Sequence, residues 1–142
     1  MTLTLDTART IIDQALATGA EHGFKPLTVV VLDAGGHVTA AARQDGASNN
    51  RFEIAQGKAY GALALGMGSR SIMARAEQQA YFIAAAAAAI GGRLIPVPGG
   101  VLIRDSDGAL LGAVGISGDT SDNDETAAAT AVRAAGLTAQ VD

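Results

Sequence analysis

The stretch that decides the fold covers residues 95–125 and reads IPVPGGVLIRDSDGALLGAVGISGDTSDNDE. Two apolar segments in it, residues 101–104 and 109–117, have the length of strands, and the Asp107-Gly108 pair between them is typical of a hairpin turn. A run of acidic residues follows, and negative charge is favoured in the first turn of a helix. The stretch therefore predicts an antiparallel hairpin followed by a helix that Ser121 caps and that ends near residue 135.

Three glycines, Gly112, Gly115 and Gly118, interrupt the second strand of this hairpin or follow it directly. Glycine weakens the interior of a strand, so it usually marks a bulge or a close approach by something else. We expect one of the two here.

A second hairpin is predicted earlier in the chain. Residues 27–32 and 37–43 are apolar runs of strand length, and the turn Asp33-Ala34-Gly35-Gly36 joins them. A connection this short requires antiparallel pairing and excludes a doubly wound parallel sheet.

Helices are predicted between and around the hairpins. The first is capped by Thr4 or Asp6 and ends at Gly23, the second covers residues 51–65, and the third is capped by Ser69 or Ser71. The segment 78–90 is apolar all round, which places it in the interior or between subunits. Residues 94–97 are predicted as a short edge strand because prolines favour an edge. The chain thus reads as one α+β domain, residues 1–142, with a five-stranded antiparallel sheet flanked by helices.

Composition limits the function classes. Only 17% of the 142 residues are charged and five are aromatic, so the core must consist of Ala, Val, Leu and Ile. A low charged fraction indicates that apolar surface remains after folding, and we expect a homo-oligomer, a dimer or larger, to cover it.

The net charge of -4, without a cluster of Lys or Arg, argues against nucleic acid as a partner. The chain has no Cys, and its N-terminus lacks the pattern of a signal peptide. The longest uncharged run, residues 78–92, is too short to cross a bilayer. We therefore expect no membrane partner and a cytoplasmic location.

Four sequence motifs resemble those of a known family. They are VVVLDAGGHV at residues 29–38, ARQDGA at 42–47, GKA at 57–59, and PVPGGVLI at 96–103 with the following GALLGAVGISG and DNDE. In this order they resemble the GlcG/HbpS family, which includes the C-terminal domain of PduO-type proteins. The resemblance covers nearly the whole chain.

The resemblance implies a profilin-like α-β-α domain that assembles into dimers or larger rings, and it implies haem as a candidate cofactor. Two positions depart from the family's phrases. Gln44 stands where Met is frequent, and Leu102 stands where proline is common. Both lie near the pocket that the resemblance implies, so the ligand can differ.

Haem binding requires an axial ligand, an apolar slot and positive charge near the propionates. The side chains able to coordinate iron are His22, His37, Met67, Met73, Tyr60 and Tyr81. The simpler interpretation of both His22 and His37 is an imidazole exposed to solvent. The simpler interpretation of the two methionines is that they fill the core. From this set, His37 and Tyr81 join the predicted ligand site, together with Lys58, Arg51, Gly99 and Gly100.

Lys58 is the strongest single candidate. The predicted helix places no carboxylate three or four residues away from it, and its neighbours there are small or apolar. A desolvated lysine has a lowered pKa and can anchor a carboxylate, act as a base or form a Schiff base. Asp45 and Arg43 follow the second strand and can reach the same region, or Arg43 can pair with Asp45.

The acidic residues of the last helix and the Gly-Gly loop have simpler interpretations. The four acids are Asp119, Asp122, Asp124 and Glu125, and their spacing lacks the pattern of a Ca²⁺ loop. Helix capping explains them, so we predict no metal site. The glycines of the loop, Gly99 and Gly100, do not precede a helix, which argues against nucleotide binding.

Three hypotheses follow. The first is a small-ligand-binding protein, with haem as the candidate ligand and no catalysis. The second is an isomerase, lyase or cyclase that acts on an organic acid, with Lys58 or Asp45 as the base and Arg51 holding a carboxylate. The third is a scaffold assembled through the apolar helix. No residue set in the sequence decides among them.

Overall fold

The structure is a computed structural model that describes residues 2–142. Its sheet has five strands in the order β2-β1-β4-β3-β5, and every neighbouring pair is antiparallel. The elements in chain order are α1 (Leu5–His22), β1 (Thr28–Asp33), β2 (Val38–Arg43), α2 (Arg51–Leu65), α3 (Ser69–Gln78), α4 (Ala80–Ala89), β3 (Gly100–Arg104), β4 (Leu110–Ser117), α5 (Ser121–Ala134) and β5 (Thr138–Gln140). The predicted α+β class and the two hairpins are confirmed.

Helices cover both faces of the sheet. On one face, Val29 and Val31 of β1 pack with α1 and α5, whereas Val30 and Leu32 face α2 on the other. The central strands are therefore buried on both sides, which explains why they read as continuous apolar runs rather than as alternating ones.

The fifth strand is not the predicted one. Residues 94–97 form no strand; they lie along α2, where the Ile95 N–H donates to the Gly57 carbonyl at 3.2 Å. Pro96 and Pro98 have no N–H to donate, so this segment could not sustain a sheet ladder. The strand at the sheet's edge is instead β5, which pairs with β3 through Leu102 and Gln140.

The apolar segment 78–90 was predicted to lie either in the interior or between subunits, and the structure does not place it in the interior. Of the ten residues of α4, Ile83 is the buried one, and Tyr81 keeps 73% of its surface exposed. The interior position is therefore wrong for α4. No helix among residues 2–142 is both long and apolar enough to cross a membrane.

Helix caps follow the predictions in part. Thr4 caps α1, because its hydroxyl accepts from the Thr7 N–H, and Gly23 ends that helix at φ 70°. The cap of α5 is Thr120 rather than Ser121. At α3 the cap position is Gly68, because the Ser69 hydroxyl bonds the backbone of Gly100 instead.

Candidate functional site

Lys58 and Asp124 form a buried ion pair between α2 and α5. Lys58 Nζ lies 3.1 Å from Asp124 Oδ2 and 2.9 Å from the Ile116 carbonyl oxygen, and the two side chains are 2% and 1% exposed. The other Asp124 oxygen accepts from the Asp119 N–H at 3.0 Å. No carboxylate of its own helix pairs with Lys58, as predicted, but the chain supplies an ionic partner from 66 residues away, Asp124.

The electrostatics of this pair reflect its burial. Desolvation lowers the pKa of the Lys58 ammonium, although attraction to Asp124 opposes that shift. Desolvation likewise raises the pKa of the Asp124 carboxyl against the attraction of Lys58. Because burial works against charge on both groups, the pair gains little over well-packed apolar side chains, whereas a single charge left alone would cost much more.

Gly99 and Gly100 contact this pair. A Cβ on Gly99, whose φ is 121°, would lie 2.9 Å from Lys58 Nζ, and one on Gly100 would overlap the Lys58 carbonyl. The Ser69 hydroxyl accepts from the Gly100 N–H at 2.7 Å. The close approach that these glycines allow is therefore filled by Lys58 and its helix.

Arg51 begins α2 at the rim of the same region. Its Nε donates to Ser48 Oγ at 3.2 Å and its Nη1 donates to Ser117 Oγ at 3.1 Å. The guanidinium faces a cleft of about 200 Å³, which we call the Arg51 cleft. Its lining residues are Lys25, Pro26, Gly46, Ala47, Ser48, Arg51 and Gly118.

A second cleft lies on the other side of the same loop. We call it the Phe24 cleft; its volume is about 470 Å³ and its lining residues are Phe24, Pro26, Arg43, Gln44 and Asp45. Gln44 Oε1 accepts from the Leu27 N–H at 2.7 Å, which ties the loop to β1. Arg43 donates to the Ala47 carbonyl at 3.0 Å, so its guanidinium bonds the backbone of this loop and forms no ion pair with Asp45.

His22 stands beside the Phe24 cleft with one ring nitrogen available. Its ring centroid lies 5.3 Å from that of Phe24. His22 Nδ1 lies 2.9 Å from the Thr18 carbonyl oxygen, and because a carbonyl can only accept, Nδ1 is the donor. In the neutral ring the lone pair is then on Nε2, the arrangement found in metal-ligating histidines.

The other predicted site residues do not line the Arg51 cleft. His37 and Tyr81 line neither cleft, and Asp45 lines only the Phe24 cleft. The His37 side chain is 81% exposed, and its Nδ1 lies 3.2 Å from Asp33 Oδ1. The N–H of His37 also bonds that carboxylate and lowers the pKa of Asp33. Tyr81 is exposed on α4, and Asp45 lines the Phe24 cleft. The structure thus brings together Lys58, Arg51, Gly99 and Gly100, but not His37, Tyr81 or Asp45.

The four acidic residues at the start of α5 bond protein groups, although Asp119 precedes the helix. Asp119 accepts from the Lys25 and Thr120 N–H groups, while Asp122 and Glu125 pair with Arg70. Within residues 2–142, no three His, Asp or Glu side chains are arranged to share a metal ion.

The sequence of this chain also matches a known family over most of its length. The family model described as "Haem degrading protein HbpS-like" matches residues 3–133. The chain belongs to the HbpS-like family. No curated protein sequence matches it significantly.

Solved structures show the same fold as this HbpS-like chain. The PduOC–haem complex superposes with a TM-score of 0.86 at 24% identity, over 96% of this chain and 97% of that chain. Klebsiella pneumoniae protein ORFY gives 0.85 at 25% identity, over 96% and 92%. A double mutant of Streptomyces reticuli HbpS gives 0.80 at 23% identity, over 94% and 87%.

The partner that sequence reasoning missed in this HbpS-like chain is Asp124. A signal for it was present, because Asp124 lies at helical spacing from Ala127, Ala128 and Ala131, which form the buried face of α5. An acid on an apolar helix face needs a buried partner, and Lys58 occupies the equivalent position among the buried residues of α2.

Proposed function

We propose that this HbpS-like protein binds a small ligand, with haem as the first candidate. The family is described as haem-degrading, and PduOC, which shares the fold, was crystallised as a haem complex. The observation on this chain that supports the proposal is His22, because its hydrogen bond is made by Nδ1 and leaves Nε2 available, and its ring packs on Phe24, which lines the Phe24 cleft. Phe24 and Pro26 supply apolar surface there, and Arg43 supplies a cation for a propionate.

His37 remains the alternative axial ligand. Its Nδ1 bond to Asp33 also leaves Nε2 available, and it lies beside a cleft of about 340 Å³ that includes Asp33, Gly35 and Leu110. That cleft has no cationic lining residue, whereas the Phe24 cleft includes Arg43. Arg43 is accompanied by Asp45 in the Phe24 cleft, whereas the ionisable residue of the other cleft is Asp33 alone. The charge of haem propionates therefore favours the site at His22.

The alternative of an enzyme acting on an organic acid has less support. Lys58 is 2% exposed and bonded to Asp124, and Asp45 lies in a different cleft from Arg51. A general base must reach the proton that it removes, and neither candidate does so for a ligand held by Arg51.

Titration of the protein with haemin tests the proposal. We expect a shifted, saturable Soret band that is lost in His22→Ala because the axial ligand is removed. His37→Ala is the matched control and should keep the band. Loss in His37→Ala alone would move the site to the β1–β2 turn, and nonspecific broadening in all three proteins would contradict haem binding.

We also propose that the protein is a homo-oligomer that self-associates through α4. Tyr81, Ala84, Ala85 and Ala88 are exposed at the spacing of one helix face, and residues 78–92 carry no charge. Two copies, each with a net charge of -4, repel least where an uncharged surface meets an uncharged surface.

Sedimentation velocity can check self-association. We expect the wild type to sediment as a dimer or larger, and Ala85→Glu, which introduces a charge into the α4 face, to sediment as a monomer at the same concentration. Thr130→Glu adds the same charge at an exposed position of α5 and should behave as the wild type. A monomeric wild type at micromolar concentration would contradict the proposal.

A further inference from the structure

Arg51 is a half-buried cation that no carboxylate neutralises. The ion pairs among residues 2–142 engage Asp33, Asp122, Asp124 and Glu125, and Arg51 takes part in none of them. Both of its described side-chain bonds go to serine hydroxyls, which are neutral. A guanidinium has more N–H donors than these two bonds use, so the Arg51 cleft retains unused donors and positive charge.

Lys25 adds a second cation to the Arg51 cleft. The backbone N–H of Lys25 bonds Asp119 at 2.7 Å, but its ammonium forms no ion pair with any carboxylate of residues 2–142. Lys25 precedes β1 and Arg51 follows β2, so both lie at the open end of the antiparallel β1–β2 hairpin, where they line the same small volume. The hydrogen bond from the Lys25 N–H lowers the pKa of Asp119, and the attraction of the Lys25 ammonium contributes to that shift, so Asp119 partly offsets the charge of Lys25. Arg51 is then the main cation that can attract an anion into the cleft, and Lys25 adds to it.

The start of α2 also adds positive charge to the Arg51 cleft. Asn50 occupies the cap position but makes no side-chain cap bond, so N–H groups of the first turn are left without a capping side chain. Glu53, the acid of that turn, is exposed and does not line the cleft. The partial positive charge of this 15-residue helix therefore adds to that of Arg51.

We infer that the Arg51 cleft is a binding site for a small oxyanion, and specifically for a carboxylate. A planar carboxylate can accept two parallel bonds from one guanidinium, and the Ser48 and Ser117 hydroxyls hold that of Arg51 in place. The volume of about 200 Å³ suits a free organic acid of a few carbons or a single haem propionate. It is too small for a porphyrin ring.

The site does not depend on haem binding, because a free acid uses the same contacts. Succinate is a suitable probe, titrated in a phosphate-free buffer and followed through the amide signals of Gly46, Ser48 and Gly118. We expect saturable shifts in the wild type and about tenfold or greater weakening in Arg51→Gln, which loses the charge-assisted bonds. Arg133→Gln removes an exposed charge from α5 and should bind as the wild type.

A second variant keeps the inference testable if Arg51→Gln fails to fold. The Lys25 side chain is exposed, so Lys25→Gln should fold normally and bind succinate about threefold more weakly. Equal binding by the wild type, Arg51→Gln and Lys25→Gln would overturn the inference, as would the same shifts on adding sodium chloride. Tighter binding of inorganic phosphate than of succinate would overturn the assignment to carboxylates.

Haemin then identifies the source of the carboxylate. Competition between haemin and succinate would assign the cleft to a propionate, and simultaneous binding would assign it to a free organic acid; either result keeps the carboxylate site. His22→Ala separates this inference from the haem proposal, since that variant should lose the Soret band and still bind succinate.

Discussion

Asp124→Ala is expected to lower the free energy of unfolding by about 3–5 kcal/mol, because it leaves the Lys58 ammonium buried without its partner. Lys58 is 2% exposed, and the Ile116 carbonyl is the other group that its Nζ bonds. The lost bond to the Asp119 N–H adds to the cost, since Asp124 also orders the start of α5. Urea unfolding at neutral pH, followed by far-UV circular dichroism, measures the change.

Two comparisons make this prediction specific. Lys58→Met/Asp124→Leu replaces both charges by apolar side chains and should recover most of the stability that either single substitution loses, because no uncompensated charge remains. Asp122→Ala removes a neighbouring acid whose side chain is 77% exposed, and it should change the urea midpoint little. If Asp124→Ala and Asp122→Ala cost the same, the buried pair does not hold α2 to α5.

Gly115→Ala should destabilise the protein by about 3 kcal/mol or more, the upper part of the usual range for overpacking in a core. Gly115 lies in β4 opposite Val30, and a Cβ there would overlap the carbonyl of Ala55 in α2. It would also lie 3.1 Å from the Ala59 Cβ. A backbone carbonyl in a helix cannot rotate away, so α2 would have to move off the sheet.

Gly57→Ala is the matched control for Gly115→Ala. A Cβ at Gly57 would meet the Ile95 side chain, 2.6 Å from its Cγ1, and that side chain can adjust where a backbone cannot. Alanine also favours the helix at this position. Thermal unfolding should therefore show a much larger decrease in Tm for Gly115→Ala; equal decreases would mean that the closeness of α2 to β4 is not what requires glycine.

Most of the fold could be predicted because its signals are local. The hairpin turns, the boundaries of α2 and the end of α1 at Gly23 each depend on residues that are neighbours in the chain. The expectation of a close approach at the glycines is correct for Gly115, which α2 approaches through Ala55 and Ala59. The resemblance to the GlcG/HbpS family added the profilin-like α-β-α arrangement of these elements.

The parts that could not be predicted depend on contacts between distant segments. The helical spacing of Asp124 from buried alanines marks it as the acid that turns inward, but nothing near it in the chain identifies its partner as Lys58, 66 residues away. The strand β5 has three residues and is specified by pairing with β3. The apolar composition of α4 does not reveal whether the helix lies in the core or at the surface, where the structure places most of it.

The loop between β2 and α2 forms a wall common to two clefts. Pro26 lines both, Gln44 and Asp45 face one, and Gly46 and Ala47 face the other. If a ligand on one side displaced this wall, the shape available on the other side would change and occupancy of the two clefts would be linked. Thermodynamics requires such coupling to be reciprocal: whatever factor one ligand imposes on the affinity of the second, the second imposes on the first.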